Sequence, residues 1–85
     1  MPKYDFISDP GHGWLKVPRS EVNSLGIGPK VSSFSYEQGD YVYLEEDCDA
    51  SLFVEAKKAK NEACEFNFID IDRMSPIRRM NRFSL

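Results

Sequence analysis

The chain has 85 residues, 41% of them hydrophobic and 13% aromatic, which is enough for one small core and one domain. Its formal net charge is −3, so it lacks the basic excess that usually marks the folded body of a nucleic-acid-binding protein. No apolar run approaches the roughly 18 residues that a membrane span needs, and the N-terminus lacks the apolar core of a secretory signal. Because a chain of this size buries only about 60% of its unfolded surface, a partner or dimerisation would add stability.

The charges are segregated along the chain. Glu45, Glu46, Asp47 and Asp49 form an acidic cluster, whereas residues 73–85 carry four arginines and no acid. The two cysteines are too few for a disulfide framework and flank a predicted helix, so we expect reduced thiols and a cytoplasmic protein.

The first elements are a predicted hairpin and a short helix. Alternating residues indicate strands at 3–8 and 14–17, joined by a turn at 9–13 that contains Pro10 and two glycines. Pro18 favours a helix start, and residues 19–25 are predicted to be helical with Gly26 as a left-handed terminator. Ile27 should then reach back to Val22, as in a Schellman motif.

A second predicted hairpin precedes the main helix. Strands are expected at 31–36 and 41–46, around a turn at 37–40. The spacing of apolar residues then predicts a helix at about 50–60, with Asp47 or Asp49 as its N-cap and Asn61 as a left-handed stop.

The last predicted strand, 66–71, is apolar on both faces, with two phenylalanines on one side and two isoleucines on the other. Such a strand is typically central in a sheet, or bulged. The order of elements predicts an α+β fold: a small antiparallel sheet of about five strands, in two hairpins plus a last strand, packed on one side by the longer helix. Residues 1–73 are expected to form the domain, and 74–85 a basic C-terminal tail.

The tail has two interpretations. It either frays or docks on the domain through Ile77 and Phe83; alternatively, its arginines form a basic arm for RNA, DNA or an acidic protein.

The acidic cluster also has several interpretations. Counted from Asp47, an EF-hand loop would need glycine at Leu52 and glutamate at Lys58, so that motif is absent. The acids can cap and stabilise the positive end of the helix. They can also form a contact surface for a basic partner beside Tyr41 and Tyr43, since tyrosines are enriched in binding surfaces.

Catalytic sets are missing from the sequence. His12 is the single histidine, and carboxylates around Cys48 oppose a thiolate. No paired Cys/His metal spacing and no phosphate-binding glycine loop is present. We therefore expect a non-enzymatic protein without a cofactor or metal.

The run 8–18 (SDPGHGWLKVP), with Leu25-Gly26-Ile27 and the run 43–50 (YLEEDCDA), resembles a family of small uncharacterised phage and prophage proteins. This resemblance implies a phage-type context, in which short accessory proteins often bind and redirect host machinery or defence proteins. More weakly, Gly13, Pro18 and Leu25-Gly26-Ile27 are similar in spacing to the swapped-hairpin DNA-binding proteins of the AbrB type. The predicted helix carries only Arg19 as a base, however, and no Gly-Asp follows Ile27 directly.

The sequence thus favours a small binding module that modulates or inhibits a host protein in the host cytoplasm, and that does not act on a membrane. The alternative is a nucleic-acid-binding regulator that uses the basic tail or the AbrB-like hairpin. A homodimer is a further expected association. The candidate partner-binding residues are His12, Trp14, Tyr41, Tyr43, Glu45, Glu46, Arg78, Arg79 and Arg82.

Overall fold

The computed structural model describes residues 2–85 and confirms the α+β class. The strands and α-helices are β1 (Lys3–Ser8), β2 (Gly13–Pro18), α1 (Arg19–Ser24), β3 (Tyr36–Gln38), β4 (Tyr41–Glu45), α2 (Ala50–Ala59), β5 (Glu65–Asp70) and β6 (Asn81–Arg82). Short 3-10 helices span Gly28–Lys30 and Pro76–Arg79. Across residues 2–85, no helix has the length and apolar character required to cross a membrane.

The strands form one six-stranded sheet in the order β5-β1-β2-β4-β3-β6. Neighbouring strands are antiparallel except for β1 and β5, which run parallel. The expectation that the last strand is central was therefore wrong, because β5 lies at an edge. The reason is the crossover: α2 carries the chain from β4 over the sheet to a strand that runs parallel to it, beyond both β2 and β1.

The main core lies between the sheet and the two α-helices. Alternating residues of the central strands point to this face and are buried with Phe53 of α2, whose ring meets that of Tyr4 edge to face at 5.1 Å. The buried Lys57 of α2 binds Glu21 of α1, with Nζ 2.5 Å from Oε1, and the Tyr4 hydroxyl donates to the same carboxylate at 2.8 Å. One ionic network therefore joins β1, α1 and α2.

The predicted C-terminal ends of both helices are confirmed. Gly26 has a φ of 69°, and the Ile27 N–H donates to the Val22 carbonyl oxygen at 3.3 Å, which is the Schellman bond. Asn61 likewise adopts the left-handed conformation, with a φ of 58°, directly after α2. These local signals worked because each needs only backbone geometry near the helix end.

The predicted strand at 31–36 is largely wrong, since only Tyr36 of this range is in a strand. Asp49 explains the difference. It occupies the N-cap position of α2 but makes no side-chain bond to the helix. Its buried carboxylate instead accepts hydrogen bonds from the Ser32 N–H and from the hydroxyls of Ser32 and Ser35. A tertiary contact therefore folds this segment into turns.

The C-terminal segment docks on the domain. Ile77 packs on the sheet face opposite α2, in a small second core with Trp14 and Tyr43, and Phe83 is buried in the main core. Residues of β6 pair with β3 and add a sixth strand. Of the two structural alternatives for the tail, the structure shows docking, which covers both faces of the sheet.

Candidate functional site

A cleft of about 410 Å3 opens on the sheet face that carries the C-terminal segment. We call it the arginine–aromatic cleft; its lining residues are His12, Trp14, Phe34, Tyr36, Glu45, Asp47, Cys48, Arg78 and Arg82. Five of the nine residues singled out from the sequence are among them: His12, Trp14, Glu45, Arg78 and Arg82. The fold brings these together from the first turn, the start of β2, the end of β4 and the C-terminal segment.

Strand register places the aromatic side chains of this cleft. Trp14 lies opposite Glu45 in the β2–β4 pair, and Tyr36 lies between Tyr43 and Arg82 on its neighbouring strands. Because side chains of paired residues project from the same side of a sheet, these groups share the face that Ile77 covers.

Two arginines and two aromatic rings form a stacked row along the cleft. The Arg78 guanidinium lies over the Trp14 ring at 5.5 Å from its centroid, and the Arg82 guanidinium lies over the Tyr36 ring at 5.4 Å. The two rings meet edge to face, with centroids 6.3 Å apart. Such contacts hold the rings and guanidinium groups in fixed positions, so this wall is pre-organised.

Arg78 is anchored by Asp9, the first residue of the turn between β1 and β2. Its Nε and Nη2 atoms donate to the two carboxylate oxygens at 2.7 and 2.9 Å. Asp9 also accepts the N–H groups of Gly11, His12 and Ser75. The Arg78 guanidinium, helped by these N–H donors, holds the pKa of the Asp9 carboxyl well below its usual range.

Arg82 is held less tightly. Its Nη1 donates to the Ser33 carbonyl oxygen at 2.9 Å, and the residue is exposed. Among residues 2–85, no salt bridge pairs the Arg82 guanidinium with a carboxylate. A ligand in the cleft can therefore reach this guanidinium more readily than that of Arg78.

The cleft also has an acidic wall, formed by Glu45 and Asp47. Glu45 is buried, and its Oε2 accepts the N–H groups of Asp47 and Cys48 in the turn that leads to α2. Its Oε1 lies 3.9 Å from Nδ1 of His12, which is half exposed. Asp47 is exposed beside it. The cleft thus presents the carboxylates of Glu45 and Asp47 together with the Arg82 guanidinium, which forms no salt bridge among residues 2–85.

The chemistry of Cys48 follows from this acidic wall. Hydrogen bonding to Glu45, together with desolvation and the neighbouring carboxylates, raises the pKa of the Cys48 thiol above its usual value. The thiol therefore stays protonated at neutral pH and is a poor nucleophile. Within residues 2–85, no cluster of three or more His, Cys, Asp or Glu side chains is arranged to hold a metal ion.

Three of the candidate partner-binding residues are not exposed at the surface. Trp14, Tyr43 and Glu45 are all buried. Trp14 and Glu45 line the cleft, whereas Tyr43 belongs to the second core and does not line it. Along β2 and β4, these three residues alternate with residues of the main core, because both strands are central and covered on both faces. The sequence pattern did not indicate that both faces would be covered.

The other candidates lie outside the cleft. Tyr41 is exposed at the far end of β4, where the Lys16 ammonium lies 4.2 Å from its ring centroid. Glu46 and Arg79 are exposed but do not line the cleft. Glu46 nevertheless lies next to Gly13, since its N–H donates to the Gly13 carbonyl oxygen at 2.9 Å. Any role of these three residues in partner binding stays a prediction.

Sequence reasoning missed Phe34 and Tyr36. Phe34 has 60% of its surface exposed in the turn before β3, although it is a large apolar residue. The signal was an aromatic residue within the serine-rich run 32–35, which is unusual for a strand. Assigning that run to a strand concealed it.

The structure also shows the contacts of Arg19, the one basic residue of the helix in the AbrB-like segment. Arg19 begins α1, and its guanidinium binds Glu37 at 2.7 Å and the Gly39 carbonyl oxygen at 2.9 Å. This residue therefore ties α1 to the β3–β4 turn.

Comparison with known proteins leaves the cleft as the main guide to function. No family model, no curated protein and no solved structure matches this chain.

Proposed function

We propose that this protein is a non-catalytic binding module whose arginine–aromatic cleft receives a segment of a partner protein. The observation that carries the proposal is the exposed Phe34 at the mouth of a cleft built from fixed aromatic and arginine side chains. Aromatic residues and arginine are the residue types most enriched at protein-binding sites. The cleft volume of about 410 Å3 lies within the range of roughly 300–1,000 Å3 typical of binding pockets.

The charges of the cleft favour a segment with an apolar and a basic side chain. The apolar group would pack on Phe34 and Tyr36, while Lys or Arg would approach Glu45 and Asp47. Arg78 is paired with Asp9, which leaves two carboxylates in the cleft, those of Glu45 and Asp47, beside the single guanidinium of Arg82. Charge complementarity of this kind chiefly sets specificity and the association rate.

In the phage-type context implied by the sequence resemblance, the partner is a host protein in the host cytoplasm, and binding modulates or inhibits it. The alternative, a nucleic-acid-binding regulator, draws support from the exposed guanidinium groups of Arg79 and Arg82, of which Arg82 lines the cleft with Phe34. The acidic wall opposes it, because Glu45 and Asp47 would repel a phosphate backbone. The use of Arg19 within the domain removes a further base.

Affinity purification from host lysate with mass spectrometry tests the proposal when variants are compared side by side. Phe34→Ala and Asp47→Lys should each abolish saturable recovery of one protein that the unmodified chain recovers. Met74→Ala is the matched control, since Met74 is 61% exposed and lies outside the cleft. Thermal unfolding of each variant verifies that the fold is intact.

Titration of the purified partner then measures the loss of affinity. Equal recovery by the unmodified chain and both cleft variants would reject the proposal. Recovery of nucleic acid that disappears with added salt and with Arg82→Ala would favour the alternative, since phosphate contacts release counterions.

A further inference from the structure

The outer edge of β5 is an unprotected strand edge. This edge strand has six residues, whereas β6 at the opposite edge has two. Natural sheets protect edges with charges, proline, bulges or very short strands. The charges of β5 are confined to its two ends, Glu65 and Asp70, and the run 66–69 between them contains no charge, proline or glycine. Phe68 is 71% exposed and Ile69 is 37% exposed. Such an edge is suited to pairing with another strand.

Both faces of β5 are apolar, as in a central strand. Phe66 packs against the main core, and Phe68 continues the same face beside Phe6, with ring centroids 5.8 Å apart. Ile69 lies on the other face, next to Ile7. A strand with this pattern is normally enclosed on both sides, and one more strand beside β5 would enclose it.

The backbone of β5 presents evenly spaced hydrogen-bonding groups on its free side. At one end the Glu65 N–H donates to the Pro2 carbonyl oxygen at 3.1 Å, and at the other the Ile71 N–H donates to the Ser8 carbonyl oxygen at 2.8 Å. In a parallel pair, every second residue faces the partner strand. The N–H and C=O groups of Phe66, Phe68 and Asp70 therefore point away from β1.

We propose that β5 of a second copy of this chain pairs antiparallel with this edge, about a two-fold axis through Asn67. In that register Phe66 lies opposite the second copy's Phe68, and these are the residues whose N–H and C=O groups point outward. Asn67 lies opposite its own counterpart. A two-fold contact requires the strand to match itself when its direction is reversed, and β5 does so.

The side chains and charges also fit this register. The phenylalanines of both copies form one cluster of four on the α2 face, and aromatic cross-strand pairs stabilise antiparallel strands. Glu65 lies opposite Ile69, and Asp70 lies opposite Cys64, so no acid directly opposes another. The two six-stranded sheets become one continuous sheet in which β5 is central, as its pattern indicates.

Sedimentation equilibrium of the full chain over a range of concentrations tests the proposal. At the high protein concentrations that are used for NMR, the expected mass is twice the 9.8 kDa of the monomer. Phe68→Lys should raise the dissociation constant about tenfold or more, because the charge enters the aromatic cluster twice. Phe68→Pro removes one outward N–H without removing a bond to β1 and should also give monomers. Phe34→Lys, in the cleft, should leave the dimer intact.

Amide hydrogen exchange distinguishes this interface from any other. The amides of Phe66, Phe68 and Asp70 should exchange slowly in the dimer and rapidly after dilution, whereas those of Asn67 and Ile69 should be protected in both states. A monomeric chain at high concentration would overturn the proposal. So would a dimer that keeps its dissociation constant in both Phe68 variants, or one in which the three outward amides exchange rapidly. Loss of cleft binding with an intact dimer would bear on the proposed function alone.

Discussion

Arg78 binds Asp9 through two hydrogen bonds, Nε to Oδ2 at 2.7 Å and Nη2 to Oδ1 at 2.9 Å, across 69 residues of sequence. The Asp9 side chain is fully buried, and it also accepts three backbone N–H groups. This pair fastens the C-terminal segment to the turn that holds His12. It therefore fixes both the stacked row of the cleft and the covering of the second sheet face.

Acid should destabilise the protein through Asp9. Its pKa is lowered in the folded chain, so below about pH 4 the unfolded chain takes up a proton that the folded chain refuses. The free energy of unfolding should therefore fall as the pH drops through about 4. Urea unfolding across this range measures the slope, and Asp9→Asn should make it shallower. Asp47→Asn makes the same change of charge at an exposed carboxylate and is the matched control.

Lys57 and Lys58 should differ sharply in their contribution to stability. The Lys57 ammonium is buried and binds Glu21 and Glu62, at 2.5 and 2.9 Å, whereas Lys58 is exposed. Lys57→Ala leaves the Glu21 carboxylate and the Tyr4 hydroxyl without their cation, and it should lower the free energy of unfolding by about 3 kcal/mol. Lys58→Ala should change it by less than about 0.5 kcal/mol. Equal effects in chemical denaturation would contradict the role of the ionic network.

Alkali should destabilise the protein through the same network. Burial, and the hydrogen bond to Glu21, raise the pKa of Tyr4 from 10.0 to about 12. Between these values the unfolded chain has lost the phenolic proton and the folded chain keeps it, so the free energy of unfolding falls as the pH rises. The pKa of Lys57, raised by Glu21, acts in the same direction. Phenolate absorbance, recorded during unfolding at each pH, follows the loss of the tyrosine proton. Tyr4→Phe should reduce the slope of the free energy of unfolding against pH. An unchanged slope in this variant would mean that another group causes the alkaline destabilisation.

Asp49 should matter far more than its neighbour Asp47. It accepts hydrogen bonds from Ser32 and Ser35 at a buried position, and the Ser35 hydroxyl in turn accepts the Glu45 N–H at 2.9 Å. Asp49→Ala leaves these buried donors unpaired and should cost about 2–3 kcal/mol. Asp47→Ala, at an exposed side chain, should cost less than about 0.5 kcal/mol. Thermal unfolding compares the two, and similar melting temperatures would refute the role assigned to Asp49.

The local signals of the chain were sufficient for most elements. The turn before Gly13, the Gly26 and Asn61 helix ends and the two helices all follow from residues within a few positions of each other. The run 31–35 failed because Asp49, more than a dozen residues away, supplies the hydrogen bonds that shape it. An N-cap interpretation of Asp49 could not reveal that contact, because the sequence does not indicate which donors its carboxylate meets.

The sequence identified individual residues of the candidate site but not their grouping. His12, Trp14, Glu45, Arg78 and Arg82 were singled out, yet nothing in the sequence indicated that they would share one cleft. Phe34 and Tyr36 were missed, and Tyr41, Glu46 and Arg79 do not line the cleft. Residue type alone identified plausible contact groups, but their grouping depends on strand order and on where the C-terminal segment docks.

The sequence by itself determined the α+β class, the helix ends and the segregation of charge, because each depends on interactions within a few residues. The tertiary structure decided the parallel pairing of β1 with β5, the docking of residues 76–83 and the formation of the cleft. These depend on which distant groups satisfy one another, such as Asp9 with Arg78 and Asp49 with Ser35. Such pairings are settled only when the whole chain buries its apolar surface and its buried polar groups must find partners.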